Sequence, residues 1–129
     1  MVTDNLSAKV LVAEDNKVNQ LVTKNLLKRI SCSCTVVENG IEAVKIMKEE
    51  TFDIILMDIN MPVLDGMQAT LKIREFDKTT PIIALTASEL SEVADECKKA
   101  GMNDLINKPL NKNDLKEVIH KHLITNNTN

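Results

Sequence analysis

The sequence predicts an α/β domain in which a parallel sheet is layered between helices. Three observations lead there. Five short, continuous apolar runs occur, at Val10–Ala13, Thr35–Val37, Ile54–Met57, Ile82–Leu85 and Leu105–Ile106. Apolar runs without alternation suit strands buried on both faces, as in parallel sheets. Longer segments with helical spacing separate them, so the order is strand then helix, five times over, with right-handed crossovers. The 129 residues are enough for one domain with a full core.

The elements follow in order. After Val10–Ala13, the spacing of Val22, Leu26, Leu27 and Ile30 gives the first helix a broad inward stripe. Asn39-Gly40 punctuates the entry to the second helix, whose inward face reads Ile41, Val44 and Met47. Asp65-Gly66 does the same for the third, read from Ala69, Ile73 and Phe76. The fourth carries Leu90, Val93, Ala94 and Cys97 at helical spacing. Ser88 or Ser91 can cap it, Glu89 and Glu92 suit its first turn, and Lys98-Lys99-Ala100-Gly101 is a stop signal. Asn111 can cap the last helix, read from Leu115, Val118 and Ile119, and polar Thr125–Asn129 is expected to fray. We read residues 1–129 as one domain, with a core from about 9 to 123 and short polar tails.

Composition excludes several classes. The apolar fraction is 43%, the charged fraction 27% and the net charge −3, with no basic stripe for direct nucleic-acid binding. The apolar runs are too short to span a bilayer and no signal peptide opens the chain, so a cytoplasmic location is expected. Cys32, Cys34 and Cys97 make no C-x-x-C, and His120 and His122 fall on different sides of a helix, so no zinc site is read.

Polar groups collect where such a sheet would bind ligands, beyond the carboxyl ends of its strands. Glu14 and Asp15 follow the first run, Asp58 the third, Thr86 the fourth, and Lys108 the fifth after Asn107. Carboxylates brought close repel one another unless a cation relieves them. Mg²⁺ suits a site of one or two carboxylates, waters and phosphoryl oxygens. An Asp carboxylate can attack phosphorus to give an acyl phosphate, while the metal, a lysine and a hydroxyl bind the oxygens of the group in flight.

Four blocks then carry a resemblance. Val10-Leu11-Val12-Ala13-Glu14-Asp15-Asn16, Met57-Asp58-Ile59-Asn60-Met61-Pro62-Val63-Leu64-Asp65-Gly66, Ile83-Ala84-Leu85-Thr86-Ala87 and Asn107-Lys108-Pro109-Leu110 resemble the signature blocks of response-regulator receiver domains of two-component signalling. The match runs roughly from Lys9 to Leu123. It implies a flavodoxin-like, doubly wound (βα)5 fold with strand order 2-1-3-4-5. By position, it implies that Asp58 is the phosphoacceptor and that Asp15, Asp58, the Asn60 carbonyl and, through water, Glu14 hold Mg²⁺, or Mn²⁺ in its place. Thr86 resembles the switch hydroxyl, Lys108 the phosphoryl-binding lysine, and Ala87 the small residue that leaves the phosphoryl group accessible. Pro109 is expected after a cis peptide bond. Asn60 and Ser88 flank the route of the water that slowly removes the phosphoryl group. Such a chain is a signalling phosphoacceptor with self-catalysed transfer, rather than an enzyme. Its donors are a histidine kinase, a histidine phosphotransfer domain or both.

Two positions depart from the family. Leu105 stands where an aromatic partner of the switch hydroxyl is common, and Ser31 where Gly often follows the first helix. Leu105 fits a relay, in which the phosphoryl group moves on. The blocks Glu14-Asp15-Asn16-Lys17-Val18-Asn19-Gln20 and Met61-Pro62-Val63-Leu64-Asp65-Gly66 are most similar to those of hybrid sensor histidine kinases. An aspartyl phosphatase of the haloacid-dehalogenase type would want Asp where Asn60 stands, and only three glycines occur, none in a phosphate-cradling loop. The remaining alternative is a degenerate receiver that only binds protein. Val18 and Leu21 lie off the inward stripe of the first helix, next to Glu14-Asp15, and are read either as a widening of the core face or as a docking patch for the phosphodonor.

Overall fold

The computed structural model describes residues 6–61, 63–87 and 90–127, with the side chains of 90–92 and 124–127 left aside. Strands and helices alternate: β1 (Lys9–Ala13), α1 (Lys17–Arg29), β2 (Ser33–Val37), α2 (Gly40–Glu49), β3 (Ile54–Asp58), α3 (Gly66–Ile73), β4 (Ile82–Thr86), α4 (Leu90–Ala100), β5 (Asp104–Asn107) and α5 (Lys112–Asn127). The sheet is parallel throughout, in the order β2-β1-β3-β4-β5. This is the flavodoxin-like doubly wound topology. Its winding reverses between β1 and β3, and the chain is pulled apart there into a crevice at the strands' carboxyl ends.

Alternation within each strand divides the core. Leu11, Ala13, Ile55, Met57, Ile82 and Ala84 face Ala43 and Met47 of α2, Ala69 and Ile73 of α3, and Cys97 of α4. Val10, Val12, Ile54, Leu56, Ile83 and Leu85 face Leu27 of α1, the adjoining Ile30, and Leu115 and Ile119 of α5. With both faces covered, the three central strands can be apolar along their length.

Local chemistry sets the boundaries. Asn16 Oδ1 accepts from Asn19 N at 3.0 Å and Asn39 Oδ1 from Glu42 N at 2.9 Å, capping α1 and α2. Asp65 and Gln68 form a reciprocal capping box on α3. Asn111 Oδ1 accepts from Asp114 N at 2.8 Å and starts α5. Gly101 ends α4 at φ 109°. Ser31 adopts φ 62°, the left-handed conformation that Gly takes without penalty and that costs other residues about 1–2 kcal/mol.

Several apolar positions point differently from their expected direction. Val22 is 42% exposed because the buried arc of α1 runs through Thr23, Leu27 and Ile30, one step round the helix. Ile41 is 53% exposed because Gly40, Ala43 and Met47 form the buried edge of α2. α3 stops at Ile73, so Phe76 lies in the following turn and is exposed; Ala94 is exposed on α4. α5 continues to Asn127, past the start of the segment expected to fray. Of the residues expected to cap α4 or suit its first turn, Ser88 and Glu89 lie outside the described residues, as do the side chains of Ser91 and Glu92.

Candidate functional site

Each site residue is delivered by a strand end. Beyond β1, Glu14 N donates to Val37 O at 3.0 Å, extending the sheet by one residue and drawing Glu14 inward to 1% exposure. Gln20 Nε2 donates to the Glu14 carbonyl at 2.6 Å, and Asn16 N to Glu14 Oε2 at 3.2 Å. Asp15 turns outward and is exposed. Asp58 is the last residue of β3, 3% exposed and paired in register with Leu85. Asn60 N donates to Asp58 Oδ1 at 2.9 Å, which fixes the carboxylate plane, and the Asn60 side chain is exposed. Thr86 ends β4 and is buried, with exposed Ala87 after it. Lys108 N donates to Thr86 O at 2.8 Å, and a cis bond joins Lys108 to Pro109.

Lys108 closes the site. Its Nζ lies 2.9 Å from Glu14 Oε1 and 2.9 Å from Asp58 Oδ2. Glu14, Asp15 and Asp58 each offer an oxygen within 4.8 Å of the others. Burial, then the hydrogen bond with Asp58, pushes the Glu14 carboxyl above its ordinary 4.5, and the bonds from Lys108 and Asn16 N offset only part of this. Burial lowers the Lys108 ammonium, but its bonds to Glu14 and Asp58 outweigh that and raise it. The ammonium is therefore held charged between two carboxylates. Three acidic groups with one cation leave room for a hard divalent ion, and the all-oxygen donor set fits Mg²⁺.

Of the residues expected here, Glu14, Asp15, Asp58 and Lys108 come together, and Thr86, Ala87 and Asn60 flank them at adjoining strand ends. Ser88 lies outside the described residues. Val18 and Leu21 are 69% and 59% exposed on α1 beyond this edge, more than Val22. The sequence reading missed Gln20 and Asn16, which fix Glu14. Their signal was helix phase, since Gln20 stands one turn after the Asn16 cap. Gly66 was read only as punctuation, yet a Cβ there would lie 2.4 Å from Asp58 O and 2.7 Å from Ile59 Cα.

The chain belongs to the response regulator receiver domain family, which its residues 10–120 match. Probable histidine kinase 1 of Oryza sativa subsp. indica is 37% identical over 90% of this chain, and the chain spans only 15% of that protein. The receiver domain of the sensor histidine kinase PA1611 from Pseudomonas aeruginosa PAO1, solved with magnesium in its active-site cleft, is 39% identical. It superimposes with a TM-score of 0.85, over 91% of this chain and 98% of that one. The receiver domain of Ssk1 from Saccharomyces cerevisiae, solved in complex with the histidine phosphotransfer protein Ypd1, is represented by a chain 33% identical. The TM-score is 0.86, over 92% of this chain and 90% of that one. No helix among the described residues is long and apolar enough to cross a membrane.

Proposed function

We propose that this chain accepts a phosphoryl group on Asp58 from a phosphohistidine donor and then signals or passes the group on. The observation that carries the reading is the Lys108 ammonium held 2.9 Å from both Glu14 and Asp58, with Asp15 alongside. An Asp58 carboxylate oxygen attacks phosphorus, and the P–N bond breaks with its electron pair returning to the imidazole. Lys108 is already aimed at Asp58 and binds a phosphoryl oxygen; Thr86 offers its hydroxyl to another, and small Ala87 keeps the approach open. Asp15, Asp58, Glu14 and the Asn60 carbonyl are the groups that would hold Mg²⁺, which when bound neutralises the charge gathering on the phosphoryl oxygens. Asn60 and Ser88 set the lifetime of the acyl phosphate, because neither is a base at neutral pH and neither strongly activates water. The reading implies a cytoplasmic location, where a phosphohistidine donor is made from ATP. The similarity to histidine kinases favours a relay role.

Incubation with acetyl phosphate and Mg²⁺ should add one labile phosphate per chain by intact mass, and Asp58→Asn should add none. Undiminished labelling of that variant would move the acceptor elsewhere. No labelling of the wild type would make the chain a protein-binding module.

Mg²⁺ should also raise the melting temperature, because an ion that binds only the folded state stabilises it by mass action. At ten times its dissociation constant the gain is about 1.4 kcal/mol, or roughly 5 °C for a domain this size. The sign of the pH dependence follows from Glu14. Its folded value is raised above the ordinary 4.5, so ionising it in place destabilises the fold progressively as pH rises from 4.5 through that higher value. A divalent cation relieves the penalty, so the Mg²⁺ effect should grow over the same window. Asp15→Ala should remove most of it. Circular dichroism or calorimetry is the readout, since the chain has neither Trp nor Tyr. Equal Mg²⁺ shifts in both proteins would place the ion elsewhere.

Exposed Val18 and Leu21 beside this edge are the proposed docking patch for a helical phosphotransfer domain. Leu21→Glu should slow transfer from a phosphorylated protein donor about tenfold or more, the loss expected when a charge enters an apolar contact, while leaving acetyl phosphate labelling unchanged. An equal effect on both donors would show that the substitution disturbs the site itself.

A further inference from the structure

The sheet face opposite α1 and α5 carries a second surface that the phosphoacceptor chemistry does not use. A groove of about 400 Å³ runs between α2 and α3, lined by Ile41, Val44, Lys45, Lys48, Leu64 and Lys72. Its apolar part is open to solvent, since Ile41 is more than half exposed and Val44 and Leu64 are half-buried. It is also preformed. Gly40 N donates to the Leu64 carbonyl at 3.1 Å, and a Cβ on Gly40 would sit 2.2 Å from that oxygen, so the start of α2 is locked onto the segment that carries Leu64.

The rim has one sign of charge. Lys45 and Lys48 stand on the α2 bank and Lys72 on the α3 bank, and among the described residues no carboxylate lines the groove. Lys48 lies 5.6 Å from the centre of the exposed Phe76 ring, which continues the apolar surface. Among the described residues, neither Lys45 nor Lys72 forms an ion pair. On a chain of net charge −3 this is a local reversal, an apolar floor between two cationic banks.

We propose that the α2–α3 groove docks an acidic amphipathic helix of a partner protein, seating apolar side chains on Ile41, Val44 and Leu64 and placing carboxylates against Lys45, Lys48 and Lys72. Three lysines on two facing helices suit several carboxylates along a partner helix. The groove opens on the other side of the sheet from Val18 and Leu21. A partner here can therefore stay bound while a phosphodonor works at α1, as a scaffold or a neighbouring domain would.

A synthetic helix with Leu and one Trp on its apolar face and Glu on its flanks tests this on the full chain. All Trp emission belongs to the peptide, because the chain has none. Saturable binding by Trp anisotropy is expected, with backbone amide NMR shifts centred on Ile41, Val44 and Leu64. Lys45→Glu combined with Lys72→Glu should weaken binding about tenfold or more, and so should added salt, since the attraction is between partly exposed charges. Acetyl phosphate labelling of the double variant should be unchanged. If that variant fails to fold, Ile41→Gln serves instead, because the Ile41 side chain lies outside the core. Equal binding by a peptide with Gln in place of Glu would overturn the proposal, as would shifts centred on α1. If decanoate, with its single carboxylate, bound the groove as tightly as the peptide, the site would be one for small amphiphiles and the partner-helix reading would be wrong.

Discussion

Lys108→Ala should leave a folded chain that is less stable at neutral pH and takes up phosphate far more slowly. The ammonium now stands 2.9 Å from two buried carboxylates, Glu14 and Asp58. Removing one partner of a buried ionic cluster leaves uncompensated charge, which costs about 3–5 kcal/mol when nothing relaxes. Here Glu14 can take a proton, so a smaller loss, about 1–3 kcal/mol at pH 7, is expected. Without the lysine the Glu14 carboxyl rises further, so the destabilisation develops as pH climbs above 4.5 and fades as pH falls back towards it. Transfer loses the cation that meets the phosphoryl oxygen, and removing one such group slows comparable reactions about 10²–10³-fold. Melting at pH 4.5 and 7.5 and the rate of acetyl phosphate labelling are the measurements. A variant labelled at the wild-type rate would remove Lys108 from the mechanism, and a deficit larger in acid would contradict the ionic account.

Gly66→Ala should be the most damaging single methyl group near the site. The new Cβ would lie 2.4 Å from Asp58 O, 2.7 Å from Ile59 Cα and 3.0 Å from Asp58 C. These are backbone atoms of β3 and its exit, so relief requires moving the end of the strand that carries the acceptor. Overpacking of this kind costs about 1–3 kcal/mol or more, which lowers the melting temperature by roughly 5–15 °C, and displacement of Asp58 should cut labelling at least tenfold. Gly101→Ala is the control. It adds strain at φ 109° and meets Arg74 Cγ at 2.8 Å, a side chain held by hydrogen bonds to Gly101 O, Asp77 O, Thr80 O and Asn103 Oδ1, far from Asp58 in the chain. It should lower stability yet leave the labelling rate unchanged below its melting temperature. A Gly66→Ala chain that labels normally would show that the α3 entry does not position Asp58.

The fold was legible in the sequence because its three central strands are buried on both faces and the two edge strands are partly buried, so unbroken apolar runs mark all five within one or two residues. The site was legible because this topology brings strand ends to one edge, and residue type at four of those ends already spells carboxylates, hydroxyl and ammonium. Helix phase was less legible. On α1 the buried arc is centred on Thr23, whose hydroxyl makes it read as polar, and the apolar neighbours Val22 and Leu26 drew the stripe to one side. On α2 the buried edge uses Gly40 and Ala43, residues too small to register beside Ile41. Ser31 looked like a family departure and proves to hold a left-handed turn without the Gly that would ease it. The clash that fixes Gly66, the Gln20 bond to the Glu14 backbone and the reach of Lys108 to two carboxylates are three-dimensional facts with no one-residue signature.

The central claim is that Asp58 forms the acyl phosphate, and chemical trapping tests it most directly. The chain would be phosphorylated with acetyl phosphate and Mg²⁺, reduced with borohydride, digested and sequenced by mass spectrometry. Borohydride converts an aspartyl phosphate to homoserine and leaves free carboxylates intact. The account requires homoserine at position 58, Asp15 and Glu14 unreduced, and no homoserine anywhere without prior phosphorylation. Homoserine at position 15, or a phosphate that survives reduction on His120 or His122 while position 58 remains aspartate, would contradict it.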